Sequence, residues 1–185
     1  MNPVSLLEKY FAGNPEAFET VYRHSRAVAD KALDIAARYQ KPGLDVGFIE
    51  EAALLHDIGI SGIHAPSMYC FGKEPYIRHG IIGKDILEAE GLPRHALVCE
   101  RHIGVGLTVE DIAQQKLPLP SRPMSPTTPE EQIVALADLF FSKRKGELTR
   151  EKSVDEVREN LGKFGAEKVV TFNDWLNRFG LVPSI

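Results

Sequence analysis

Six ionisable side chains fall on helical faces that are otherwise apolar: His24, His56, Asp57, His79, His102 and Asp138. His24 shares its face with Ala17, Val21 and Val28, and His56 with Ile49, Ala52 and Ala53. His79 lies with Ile82, Gly83 and Ile86, His102 with Val98 and Cys99, and Asp138 with Val134, Ala135 and Phe141. Asp57 adjoins His56, one turn beyond Ala53 and Leu54. A single histidine in such a place reads as a core residue bonded to a carbonyl; the same pattern on five helices asks for a common cause. An unpaired buried carboxylate costs several kcal/mol or takes up a proton, so two aspartates need a counter-charge. Lysine and arginine are scarce on these faces, and a divalent cation meets the need. Imidazole nitrogen with carboxylate oxygen suits Zn, Mn, Fe, Co or Ni, and with no cysteine cluster the expected site is open to water rather than a closed structural zinc.

The elements that must position these groups read as helices throughout. From Pro15 to Tyr39, positions Phe18, Val21, Ser25, Val28, Ala32, Ile35 and Tyr39 recur at steps of three and four. Asp45 caps a second helix running to about Asp57, with Gly59 as its stop. Residues 59–77, rich in glycine, proline and aromatics, read as a loop. Further helices fit Arg78 to Glu90, a start near Pro93 and Arg94, and Thr108 to Gln115. Five of the twelve prolines lie between Pro118 and Pro129, an extended connection with room to move. Thr128, Pro129 and Glu131 form a capping box that opens a helix through about Ser142, and Val154 to Leu161 and Ala166 to Arg178 complete the set. No segment alternates as a strand should, so the expected fold is all-α.

In order along the chain, His24, the doublet His56-Asp57 and Asp138 resemble the H...HD...D pattern of the HD-domain metal-dependent phosphohydrolase superfamily. HDIG at 56–59 is similar to that family's HDIG subgroup, and the resemblance covers about 20–145. It implies one HD domain over 1–185: a bundle of about seven to eight helices around a metal centre, with C-terminal helices at about 150–180 packed on it. It assigns His24, His56, Asp57 and Asp138 to one metal. His79 and His102 stand where some branches of the family carry ligands for a second ion, with Asp57 bridging the two.

The reaction so implied is hydrolysis of a small phosphomonoester, nucleotide or phosphoanhydride by in-line attack of a metal-activated hydroxide. Two alternatives stay open: a dinucleoside polyphosphate or phosphodiester hydrolase with the same metals, and a non-catalytic metal-dependent ligand-binding module. Lys73, Arg78 and Arg101 are candidates to hold the rest of the phosphate, although each also reads as an ordinary solvated charge. The run Lys143 to Lys145 reads as a cationic helix end that complements its dipole. His64 reads as a surface residue, His95 falls outside the site, and Glu50 and Glu51 are candidates to orient a ligand imidazole. Ile60 after HDIG, and RHIGVGLT at 101–108, depart from the lysine and the Gly-Tyr-Pro signature of the cyclic-dinucleotide phosphodiesterase branch, which points away from that substrate.

Composition narrows the partners. A formal charge of -4 disfavours extended nucleic-acid contact. No apolar run reaches the ~18 residues of a membrane helix, and MNPVSLLEKYFAG lacks a signal peptide's basic start, so the expected address is cytoplasmic. Cys70 and Cys99 have no metal-finger spacing and read as free thiols. The expected partner is a small phosphorylated substrate.

Overall fold

Asn14 and Pro15 start the longest helix: the asparagine Oδ1 accepts from the Ala17 amide, and proline occupies the first turn, where no amide is needed. The computed structural model describes residues 2–39, 41–144 and 146–181. Among them run α1 (Pro3–Tyr10), α2 (Pro15–Arg38), α3 (Val46–Leu55), α4 (His79–Ala89), α5 (Pro93–Arg101), α6 (Val109–Gln114), α7 (Pro129–Leu139), α8 (Val154–Gly162) and α9 (Ala166–Arg178). The fold is helical, as the periodicity requires, with one element beyond the expected number. That element is α1, capped by Asn2, whose Oδ1 accepts from Val4 and Ser5.

Two apolar clusters carry most of the core. One joins α2, α3, α7, α8 and α9 through Val28, Ile35, Ile49, Ile133, Leu161 and Phe172. The other joins α1, the start of α2, the end of α3 with the turn after it, α4 and α5 through Leu7, Val21, Leu55, Ile58, Leu87 and Cys99. His24 sits on α2 between Val21 of the second cluster and Val28 of the first, so the polar residues gather at the seam. The C-terminal helices are tied down as well. Lys168 of α9 is buried and donates to the Gly106 carbonyl and to Asp111, which itself completes a capping box with Thr108.

Several boundaries differ from the sequence expectation. Gly59 is not a stop: α3 ends at Leu55, and Gly59 lies inside a 3-10 turn, Ile58–Gly62. The stretch read as loop contains a short antiparallel pair, β1 (His64–Ala65) with β2 (Cys70–Phe71), too brief to show alternation. The proline-rich connection is extended but anchored: Leu107 and Met124 exchange backbone hydrogen bonds, Met124 is buried, and Arg122 pairs with Glu100. Thr128 caps α7, but the Glu131 carboxylate accepts from the Thr127 amide and Arg101 instead of closing the box.

Candidate metal centre

The helix break after Leu55 explains the doublet. Consecutive residues on an unbroken α-helix point about 100° apart. Here His56 closes α3 and Asp57 opens the 3-10 turn, and His56 Nε2 and Asp57 Oδ2 come within 3.1 Å. Gly59 then lets the turn lie against α4. A methyl group at that position would overlap the His79 carbonyl and the Gly83 amide. The glycine of HDIG therefore sets how closely the doublet approaches the helix that carries His79.

Three imidazoles are aimed by one local device. His56 Nδ1 donates to the Ala53 carbonyl at 2.6 Å, His79 Nδ1 to Tyr76 at 2.7 Å and His102 Nδ1 to Cys99 at 2.8 Å, always three residues back. Each Nε2 is thereby turned inward. His79 Nε2 and His102 Nε2 face each other at 3.1 Å, and each lies 3.6 Å from Asp57 Oδ1. With both Nδ1 atoms donating, neutral rings carry no proton on Nε2, so three acceptors converge with no donor among them. Neither Asp57 oxygen has a hydrogen-bond partner of good geometry. Such groups are rare in buried positions, and a metal ion would resolve the conflict.

The other Asp57 oxygen faces a second group. Asp57 Oδ2 lies 3.3 Å from His24 Nε2, while Asp138 Oδ1 lies 2.9 Å from that nitrogen and 3.5 Å from His56 Nε2. His24, His56 and Asp138 form one set with ligand atoms close enough to share an ion, and His56, Asp57 and His102 form another. The donor chemistry and the unpaired buried atoms fit a divalent transition metal.

Lys143 corrects the sequence reading. It does not close a helix, because α7 ends at Leu139, and the scarcity of buried cations does not hold. Its side chain is 14% exposed, with Nζ 2.9 Å from Asp57 Oδ2 and 3.5 Å from Asp138 Oδ1. Burial works against both carboxylates, yet His56 and Lys143 hold Asp57 well below the usual range, and Lys143 with His24 and His56 does so for Asp138. Burial likewise opposes charge on His56, but Asp57 and Asp138 outweigh it and raise the imidazole to about 10. His24 falls to about 4 by burial and the nearby Lys143, and His79 to about 3 by burial and His102. Without metal, an imidazolium and an ammonium balance the two carboxylates.

Residues 21–141, which span every one of these groups except Lys143, match the HD domain family. The chain belongs to the HD domain family. It is 34% identical over 165 residues to the uncharacterized protein MJ0778 of Methanocaldococcus jannaschii, covering 86% of this chain and 89% of that one. It is also 32% identical to the tRNA (cytidine(56)-2'-O)-methyltransferase of Thermoplasma volcanium, over 94% of this chain and 45% of the relative. The enzyme of that name from Picrophilus torridus is 36% identical over 68% of this chain and 33% of its own length. The chain thus spans less than half of either methyltransferase. Among solved structures, the HD domain of the Listeria monocytogenes phosphodiesterase PgpH shares the fold, with a TM-score of 0.53 at 18% identity over 92% of this chain and 94% of that one. The same domain in complex with cyclic-di-AMP gives 0.53 at 17% identity over 98% of each chain.

Outside the cluster, the HD domain disposes of the remaining candidates individually. Lys73 is exposed. Arg78 pairs with Glu74 and donates to the Pro118 carbonyl, and Arg101 is held by Glu131 and Thr127. His64 is exposed on β1, His95 pairs with Glu51, and Glu50 pairs with Arg26, so neither glutamate orients a ligand imidazole. Lys145 lies outside the described residues. A cavity of about 760 Å³ reaches Asp138 and is walled by Ile103, Phe141, Arg144, Phe164 and Leu161 of α8. Its volume falls in the range of small-molecule sites. No helix among the described residues is long and apolar enough to cross a membrane.

Proposed function

We propose that this HD domain, of the HDIG subgroup, is a phosphohydrolase whose cluster holds two divalent transition-metal ions and which cleaves a small phosphomonoester, nucleotide or phosphoanhydride. The observation that supports it most is the meeting of Asp57 Oδ1, His79 Nε2 and His102 Nε2 with no donor among them. Asp57 divides its oxygens between the His79 and His102 pair and the His24, His56 and Asp138 set, so it could help to hold an ion in each. Bound divalent ions supply Lewis acidity toward a phosphoryl oxygen and toward water.

The chain's own residues do the rest. Carbonyls at Ala53, Tyr76 and Cys99 fix the rings in the tautomer that presents Nε2, and Asp57 sets the spacing of the two ligand groups. The cavity beside Asp138 admits the substrate. Of the three cations expected to hold its phosphate, Arg78 and Arg101 are engaged by Glu74 and Glu131, and the cavity offers Arg144 instead.

The test is a metal-reconstituted screen of phosphomonoesters, nucleoside di- and triphosphates and dinucleotides, scored by product. Release of phosphate or pyrophosphate supports the leading reading; nucleotide products with neither released, from a dinucleotide or an added dinucleoside polyphosphate, favour a phosphodiester or dinucleoside polyphosphate hydrolase. Metal-loaded protein that turns over none of them with several metals and pH values would be a ligand-binding module.

A further inference from the structure

We infer that Lys143 is a tethered counter-cation: its ammonium occupies Asp57 and Asp138 in the metal-free chain, yields them to metal, and then faces the substrate phosphate. The inference rests on the metal-dependent reading above and extends it to a residue just beyond the matched stretch 21–141.

Occupancy comes first. The ammonium lies 2.9 Å from Asp57 Oδ2 and 3.5 Å from Asp138 Oδ1, oxygens that also face His24 and His56. Each carboxylate oxygen has about two lone-pair sites, so ring nitrogens, ammonium and a metal ion compete for the same few positions. Metal–oxygen bonds are about 2.0–2.2 Å, which would put a divalent ion a few ångströms from the ammonium in a buried, weakly screened place. The two cations exclude each other there.

The tether decides where the displaced ammonium goes. Lys143 follows Asp138 by five residues, past the end of α7, in a segment without regular structure, and its four-carbon stem is flexible. Asp138 and both chain neighbours, Ser142 and Arg144, line the 760 Å³ cavity. The cavity is therefore within reach of the displaced ammonium, beside the carboxylate that would hold metal, and a compact ammonium is a good partner for phosphate oxygen. One side chain thus balances charge in the absence of metal and binds the anion in its presence.

The experiment uses the full chain, stripped of metal. Mn2+ is titrated into wild type, Lys143→Met and Lys143→Arg, and inorganic phosphate is then titrated into each loaded protein. Lys143→Met should bind Mn2+ at least about tenfold more tightly and phosphate at least about tenfold more weakly, while Lys143→Arg stays near wild type in both. A merely structural lysine would not move the two affinities in opposite directions. In wild type, amine acylation mapped by mass spectrometry should rise at Lys143 on adding Mn2+ and fall again on adding phosphate, a readout that needs no variant. Wild type that binds Mn2+, with Lys143→Met binding it equally or more weakly, or with Lys143 labelling unchanged, overturns the inference alone. Wild type that takes up no Mn2+, Zn2+ or Co2+ overturns the metal-dependent reading with it.

Discussion

His79 Nε2 and His102 Nε2 face each other across 3.1 Å, with each ring fixed by an Nδ1–H bond to the carbonyl three residues behind it. Two acceptors held in opposition are costly unless a cation lies between them. His79→Ala removes one of them and should release the ion of that group while leaving the His24, His56 and Asp138 group loaded. Elemental analysis of the reconstituted variant should give about half the wild-type metal per chain; full retention of both ions would break the division into two groups.

Asp57 turns one oxygen to each group, so in the proposed two-ion site its loss should empty both. Asp57→Ala also leaves the His56 imidazolium and the Lys143 ammonium facing each other with one carboxylate fewer. Stripping one partner from a buried charge network costs about 3–5 kcal/mol, and urea unfolding of the metal-free variant should show a loss of that order. An unchanged midpoint would mean that the network contributes little to the fold.

Metal uptake should strengthen as pH rises. His56 is raised to about 10 by Asp57 and Asp138 against the opposing effect of burial, so a metal must displace its proton at neutral pH. Between pH 7 and 9 the apparent affinity should climb about tenfold per unit for each proton released. Calorimetry in buffers of different ionisation enthalpy measures that release directly, and a flat affinity would remove His56 from the ligand set.

Without metal, stability should peak near the ordinary histidine pKa. His24 and His79, lowered to about 4 and about 3, stay neutral in the fold, whereas unfolded histidines titrate near 6.5. Below 6.5 the unfolded chain binds more protons, so stability falls as pH drops through that window. His56, raised to about 10, has the opposite sign: between 6.5 and 10 the folded chain binds more protons, and stability falls as pH rises. Melting temperatures of metal-free protein across pH 4.5–9 check the shape. A monotonic rise over the whole range would contradict the charge assigned to His56.

Gly59→Ala tests the packing under the site. The added methyl meets backbone of His79 and Gly83, which cannot swing aside as a side chain could. Overpacking typically costs 1–3 kcal/mol, and against backbone a loss of about 3 kcal/mol is expected, together with reduced metal retention as α4 is pushed away. Unfolding midpoint and metal content should fall together.

Much of this was legible because helices announce themselves by period. The steps from Phe18 to Tyr39 placed α2, Thr108 and Thr128 marked their helix starts, and each histidine of the cluster sat where an apolar residue belonged. α1 was not, since eight residues with only Leu6 and Leu7 buried give too short a pattern. The pairing of His64–Ala65 with Cys70–Phe71 was hidden for the same reason: two-residue strands cannot alternate. Lys143 escaped because it lies beyond the end of α7, where no periodicity constrains a side chain and only the path of the chain brings it back to Asp57. Its sole signal was a cation close behind Asp138. Arg78 and Arg101, adjacent to ligand candidates in sequence, point instead to glutamates of their own, because neighbouring helical residues do not share a face.

The most direct test of the central claim is metal stoichiometry. Metal-free protein is reconstituted with Mn2+, Co2+ or Zn2+, freed of excess, and analysed for bound metal alongside Asp57→Ala. Two ions per wild-type chain and none in the variant is the result this account predicts. A wild-type chain that retains no ion of any of the three, while still folded, would contradict it.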